Sequence, residues 1–118
     1  ASLITRGLQE IKTLAQYFNA NPETIYGLAG IGDLIATCNS SLSRNWSTGY
    51  QLAKNKPLHE ITENKTVEGI TSCKIIIEKI EKKNIQLPII EQVYNILFKK
   101  KYPIDAISTL MNRTLKSE

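Results

Sequence analysis

The sequence predicts an all-α fold, and three observations predict it. Apolar residues recur at steps of three and four along nearly every long segment, the period of a helix that buries one face. Pro22, Pro88 and Pro103 stand where helices would open, a position at which the missing N–H of proline is no loss. The one β-branched run, Ile75-Ile76-Ile77, lies inside a longer 3.6-residue pattern.

In chain order, Ile4, Leu8, Ile11, Ala15 and Phe18 draw one stripe on a first helix. Asn21-Pro22-Glu23 gives the next a cap, a proline and an acid in its first turn. That helix is expected to be short, because Gly27, Gly30 and Gly32 follow and each glycine costs about 1 kcal/mol inside a helix. Leu34, Ile35 and Cys38 then resume a short helix, and residues 38–45 read as a polar turn. A helix from about Arg44 to Lys54 carries Trp46, Tyr50 and Ala53 on one face, and Lys54-Asn55-Lys56-Pro57 ends it. The fifth helix begins near Val67 or Glu68, with Ile70, Cys73, Ile77 and Ile80 inward, and stops around Lys83-Asn84. Pro88 opens a sixth with Ile89 or Ile90, Val93, Ile96 and Leu97 inward, and Pro103 a seventh with Ile104, Ile107, Leu110 and Met111.

Composition narrows the function classes. The 118 residues carry 15 Lys+Arg against 11 Asp+Glu, a net charge of +4, with 42% apolar and 22% charged residues. This is the balance of a globular domain with a single core. No apolar run approaches the roughly 20 residues of a membrane span, and residues 1–7 show neither an initiator Met nor a signal-peptide pattern. Cys38 and Cys73 lack the short spacings of a zinc site, and both fall on apolar stripes as reduced, structural thiols. The basic runs Lys82-Lys83 and Lys99-Lys100-Lys101 fall at helix C-termini, where cations meet the negative end of the dipole. They do not form the basic face with interleaved aromatics that nucleic acid requires. A doubly wound nucleotide-binding domain would fill most of this length, so only part of such an enzyme is expected here.

Several residues could carry chemistry. A phosphate needs an arginine fork, hydroxyl or amide donors and the N–H groups of a helix start, and Ser43-Arg44-Asn45 offers all three at a loop-to-helix junction. From spacing alone, a plain N-cap with a solvated arginine is the stronger reading of the same residues. Asp33, after the glycines, could accept hydrogen bonds from substrate hydroxyls, or could cap a helix. Glu68 fits the first turn of a helix by the dipole rule. Residues 27–32 (GLAGIG) match neither a phosphate loop nor a dinucleotide fingerprint. His59, the only histidine, reads as a surface residue. No carboxylate pair, metal cluster or nucleophile–base arrangement follows from spacing.

In order, the strings Leu3-Ile4-Thr5-Arg6-Gly7, Gly27-Leu28-Ala29-Gly30-Ile31-Gly32-Asp33-Leu34, Thr37-Cys38, Ser43-Arg44-Asn45, Val67-Glu68-Gly69, Leu87-Pro88-Ile89-Ile90-Glu91-Gln92-Val93-Tyr94 and Leu115-Lys116-Ser117-Glu118 are far more specific than any one of them. Together they resemble the C-terminal, substrate-binding domain of the bacterial NAD(P)-dependent glycerol-3-phosphate dehydrogenase family, over essentially the whole chain. The resemblance implies a single helical domain over residues 1–118, cut from a longer cytoplasmic enzyme, a homodimer, whose N-terminal Rossmann domain holds most of the NAD(P)H. It implies reduction of dihydroxyacetone phosphate to sn-glycerol 3-phosphate for glycerophospholipid synthesis. Residue by residue, it assigns Asp33, Ser43, Arg44 and Asn45 to the three-carbon phosphorylated substrate, and Arg44, Thr66 and Glu68 to the cofactor. Thr66 departs from a position often held by an apolar residue.

In the family the catalytic lysine stands in a Lys-Asn motif upstream of this segment, and none of the twelve lysines here matches it. No catalytic residue is therefore expected in this chain, and alone it should be inactive. Two other readings stand beside this one: a stand-alone helical module for an acidic partner, and the C-terminal domain of another dehydrogenase with a helical second domain.

Overall fold

The stripe over residues 4–15 does build a helix, α1 (Ser2–Tyr17), with Leu8 and Ala15 buried. The computed structural model describes residues 2–17, 44–63 and 66–117, with the backbone alone for Ser2, Glu68 and residues 114–117. Phe18, the short helices expected near Pro22 and Leu34, the glycine segment and Cys38 lie outside the described residues. Five further helices follow: α2 (Arg44–Ala53), α3 (Leu58–Ile61), α4 (Glu68–Glu81), α5 (Pro88–Phe98) and α6 (Pro103–Ser117). Every element among the described residues is a helix, as the periodicity predicts.

The core forms where α4 packs on α5. Cys73, Ile77 and Ile80 repeat at four and three on one face of α4, and Leu87, wholly buried, closes the cluster. Leu14 of α1 and Ile90, Tyr94 and Leu97 of α5 pack around it. Pro88 holds Leu87 extended (φ −129°, ψ 80°), as the residue before a proline must be, so the chain turns sharply into α5 while its leucine stays inside. On its other sides α5 meets α1 and α6, and α2 rests on α3 and α6. Arg6 of α1 donates from Nη1 to the Leu110 carbonyl of α6 at 2.9 Å, tying the first described helix to the last.

Two helices, α5 and α6, depart from expectation in which face they bury, and α2 turns its shared apolar face outward. In α2 the inward residue is Thr48, while Trp46, Tyr50 and Ala53 are exposed and the Trp46 and Tyr50 rings stack 5.3 Å apart. In α5 Val93 is exposed, and in α6 Ala106 and Leu110 are buried while Ile104, Ile107 and Met111 face outward. The reason is common to all three: periodicity shows which residues share a face, not which face meets a neighbour. Val93 and Ile107 border an open apolar groove of about 360 Å³ with Leu3, Ile4 and Ile96. The polar connection around His59 also contains the single turn α3, whose Ile61 is buried while His59 stays exposed.

Candidate functional site

Two helix starts, at Arg44 and Glu68, adjoin in space. The first turn of α2 begins with Arg44 and Asn45, both exposed. That of α4 begins with Glu68 and Gly69, after Thr66 and Val67. Val67 is buried and extended (φ −117°, ψ 102°); its side chain anchors the junction while its carbonyl accepts the Ile70 N–H at 3.1 Å to open the helix. Thr66, one residue earlier, is exposed. The Arg44 guanidinium reaches across and donates from Nη1 to the Thr66 carbonyl at 3.1 Å. Asn45 lies against Gly69, with its amide where a side chain on that glycine would point.

Arg44, Asn45, Thr66 and the start of α4 therefore form one constellation. Of the remaining expected site residues, Glu68 is the first residue of α4, its side chain outside the description, and Asp33 and Ser43 lie outside the described residues.

Two features of this corner favour an anion. Each helix start carries the positive end of a macrodipole, equivalent to about half an elementary charge, and Arg44 adds a full one. The bond to Thr66 uses one of the five N–H donors in the guanidinium fork. A planar fork tied to the Thr66 carbonyl, beside an amide that can both donate and accept, suits bidentate contact with a phosphate. Val67 provides no side-chain cap to α4.

The start of α5 shows the opposite arrangement, and sequence reasoning missed it. Glu10 of α1, only 7% exposed, accepts the Ile89 N–H at 2.6 Å through Oε2 and the Ile90 N–H at 3.1 Å through Oε1. Glu91 Oε2 accepts the Leu87 N–H at 2.8 Å, and Pro88 has none to offer. Each of the first backbone donors of α5 is thus matched to a carboxylate. Burial pushes the Glu10 carboxyl above the usual range; the Ile89 and Ile90 bonds oppose this, Glu91 adds to it and Arg6 opposes it. The available signal was the row Leu3, Gly7, Glu10, Leu14, which puts Glu10 at the edge of the apolar stripe rather than opposite it.

Cys73 is buried and free, its Sγ 3.7 Å from the Ile90 carbonyl. Burial pushes its thiol pKa up, the state of an inert structural cysteine. Among the described residues no group of three His, Cys, Asp or Glu could hold a metal, and no helix is long and apolar enough to cross a membrane.

Comparison with known proteins supports the family resemblance and the helical fold. Residues 1–108 match the model of the family described as NAD-dependent glycerol-3-phosphate dehydrogenase C-terminus. Curated relatives include the glycerol-3-phosphate dehydrogenase [NAD(P)+] of Ligilactobacillus salivarius, 48% identical over the whole chain and 36% of that protein. The same enzyme of Trichormus variabilis is 44% identical over the whole chain and 39% of its length. Among solved structures, glycerol-3-phosphate dehydrogenase from Coxiella burnetii aligns with a TM-score of 0.87 and 34% identity, covering 94% of this chain and 35% of that one. The chain thus spans little more than a third of the length of these relatives.

Proposed function

The chain belongs to the family of NAD-dependent glycerol-3-phosphate dehydrogenase C-termini, and from that premise we propose that it forms the substrate-binding half of an NAD(P)-dependent enzyme interconverting dihydroxyacetone phosphate and sn-glycerol 3-phosphate. The observation that carries the reading is the junction of α2 and α4, where Arg44 and Asn45 meet Thr66 and Gly69. In this reading Arg44, Asn45 and Ser43 grip the phosphate and glycerol end of the substrate, and Asp33 accepts its hydroxyls. Arg44, Thr66 and Glu68 face the cofactor.

The donor set fits a pyrophosphate-bearing cofactor. It joins a guanidinium and an exposed amide to the start of a 14-residue helix, all of which favour anionic oxygen. Bound NAD(P)H supplies the hydride. The residues of this chain bind and orient: Arg44 offsets phosphate charge, and its bond to Thr66 fixes the fork before the substrate arrives, so less motion is lost on binding. The proton donor and the Rossmann domain belong, in this proposal, to the rest of a cytoplasmic, homodimeric enzyme. The outward apolar residues of α5 and α6 support a covering partner.

The test is Arg44→Ala in the full-length enzyme. Losing a charge-assisted contact costs about 1.5–3 kcal/mol, so kcat/KM for dihydroxyacetone phosphate should fall roughly ten- to a hundredfold. An unchanged kcat/KM removes Arg44 from the phosphate. Arg44→Lys should recover only part of the loss, because an ammonium lacks the planar fork.

A further inference from the structure

Three glycines among the described residues sit inside helices, and they differ in what a side chain would meet. A Cβ on Gly7 or Gly49 would touch nothing within 4 Å. On Gly69 it would fall 2.5 Å from Asn45 Oδ1, 3.1 Å from Cγ and 3.4 Å from Nδ2, so the whole amide group would have to move. Backbone freedom does not explain the glycine: no described glycine has a positive φ, and Gly69 is the second residue of α4, where alanine is the better helix former. What glycine provides here is space, and Asn45 occupies it.

We propose that Gly69 is a positioning residue for substrate binding: its bare Cα is the seat of the Asn45 amide, and that seat aims the amide at the phosphorylated substrate. The proposal rests on the reading of Asn45 as a substrate contact. A short, flat amide on the first turn of α2 can lie directly on the backbone of α4 only where that backbone has no side chain. Seated there, the amide loses rotational freedom before the substrate arrives, which lowers the entropy lost on binding. A methyl group on Gly69 lifts the amide away from α4. It also presses on the residue beside Arg44, whose bond to Thr66 spans the same gap at 3.1 Å.

The test compares Gly69→Ala, Asn45→Ala, their double variant and Gly49→Ala in the full-length enzyme, reading KM for dihydroxyacetone phosphate, kcat, Tm and the Asn45 position in a crystal structure of Gly69→Ala. Gly69→Ala should displace the amide and raise KM about tenfold, a shift of the size that ångström-scale misplacement produces, with a smaller change in kcat and a Tm equal to or above the parent. Gly49→Ala, in open space on α2, should leave KM within about twofold while moving Tm in the same direction. In the Asn45→Ala background, Gly69→Ala should add less than about twofold, because the coupled partner is gone.

The inference is overturned if the amide stays in place in Gly69→Ala. It is also overturned if Asn45→Ala raises KM while Gly69→Ala does not, or if the two effects multiply in the double variant. If the amide moves but Asn45→Ala leaves KM unchanged, the seat stands and the assignment of Asn45 to the substrate falls.

Discussion

Replacing Glu10 tests how much of this fold depends on one carboxylate placed from a distant helix. Its two oxygens satisfy the N–H groups of Ile89 and Ile90, which would otherwise be orphans of the first turn of α5. Removing a cap costs about 0.5–2 kcal/mol, and each buried donor left bare about 1–3 kcal/mol. Against this stands relief from burying a carboxylate, the largest influence on its pKa. Ile89 and Ile90 are only half-buried, so water can replace part of what is lost. Glu10→Ala should therefore destabilise by about 2 kcal/mol. Glu10→Gln keeps one acceptor but turns an NH₂ toward the other donor, and should lose about half as much.

Urea unfolding at constant pH measures both differences. The pH dependence gives a second, independent check. Because burial raises the Glu10 carboxyl in the folded state, folding takes up a proton between the unfolded and folded pKa values. Its contribution is whole below the unfolded value and declines as pH rises through the folded one. The stability gap between the parent and Glu10→Gln should narrow across that interval. A Glu10→Ala variant within about 0.5 kcal/mol of the parent would refute the capping argument, and a gap that widens with pH would show that the two backbone bonds, not burial, dominate the carboxyl.

Three other outcomes follow from the same contacts. Leu87→Ala, at the wholly buried residue joining α4 to α5, should lower stability by about 3–4 kcal/mol in urea melts, toward the upper part of the large-to-small range. Lys100, with φ 57° just beyond α5, holds a left-handed conformation that glycine takes without steric penalty, so Lys100→Gly should stabilise by about 0.5–1 kcal/mol. The 118-residue chain alone should self-associate through the outward apolar residues of α5 and α6, and Ile107→Glu should shift its sedimentation toward monomer. A parent that stays monomeric at high concentration would count against that surface.

The sequence made the helices legible because each long one carries its own period and its own punctuation. The row Cys73, Ile77, Ile80 lies on one face of α4, and Pro88 and Pro103 open α5 and α6. What it hid were contacts whose partners are remote. Glu10 meets Ile89 from 79 residues away, and its place at the edge of the apolar stripe does not name that partner. The same holds for the outward face of α2: Trp46 and Tyr50 share a stripe, but the stripe does not say that Thr48 is the residue turned inward. For the candidate site, the strings around Arg44 and Glu68 were readable separately. Their meeting depends on the long α4 packing along α5 and α2 resting on α6, a tertiary arrangement that spacing does not encode. The place of Gly69 was invisible for the same reason, since only the neighbouring amide gives that glycine a purpose.

The two kinds of helix start in this protein argue for where an anion can bind. At α5 the exposed ends of the dipole are already matched: Leu87 to Glu91, and Ile89 and Ile90 to Glu10. A phosphate arriving there would meet two carboxylates and no unmatched donor in that first turn, so repulsion and lost hydrogen bonds both oppose it. At the junction of α2 and α4 the Arg44 guanidinium reaches the Thr66 carbonyl, and the α4 cap residue, Val67, makes no side-chain hydrogen bond to the helix. The dipole has the same sign in both places, and the neighbouring charge decides its use. At α5 it is neutralised from within and contributes to stability; at α2 and α4 it is reinforced by a cation, an arrangement that favours an external anion. The proposed phosphate grip thus rests on the Arg44 cation beside these helix starts, and a carboxylate substituted for Asn45 should abolish it even if the fold is untouched.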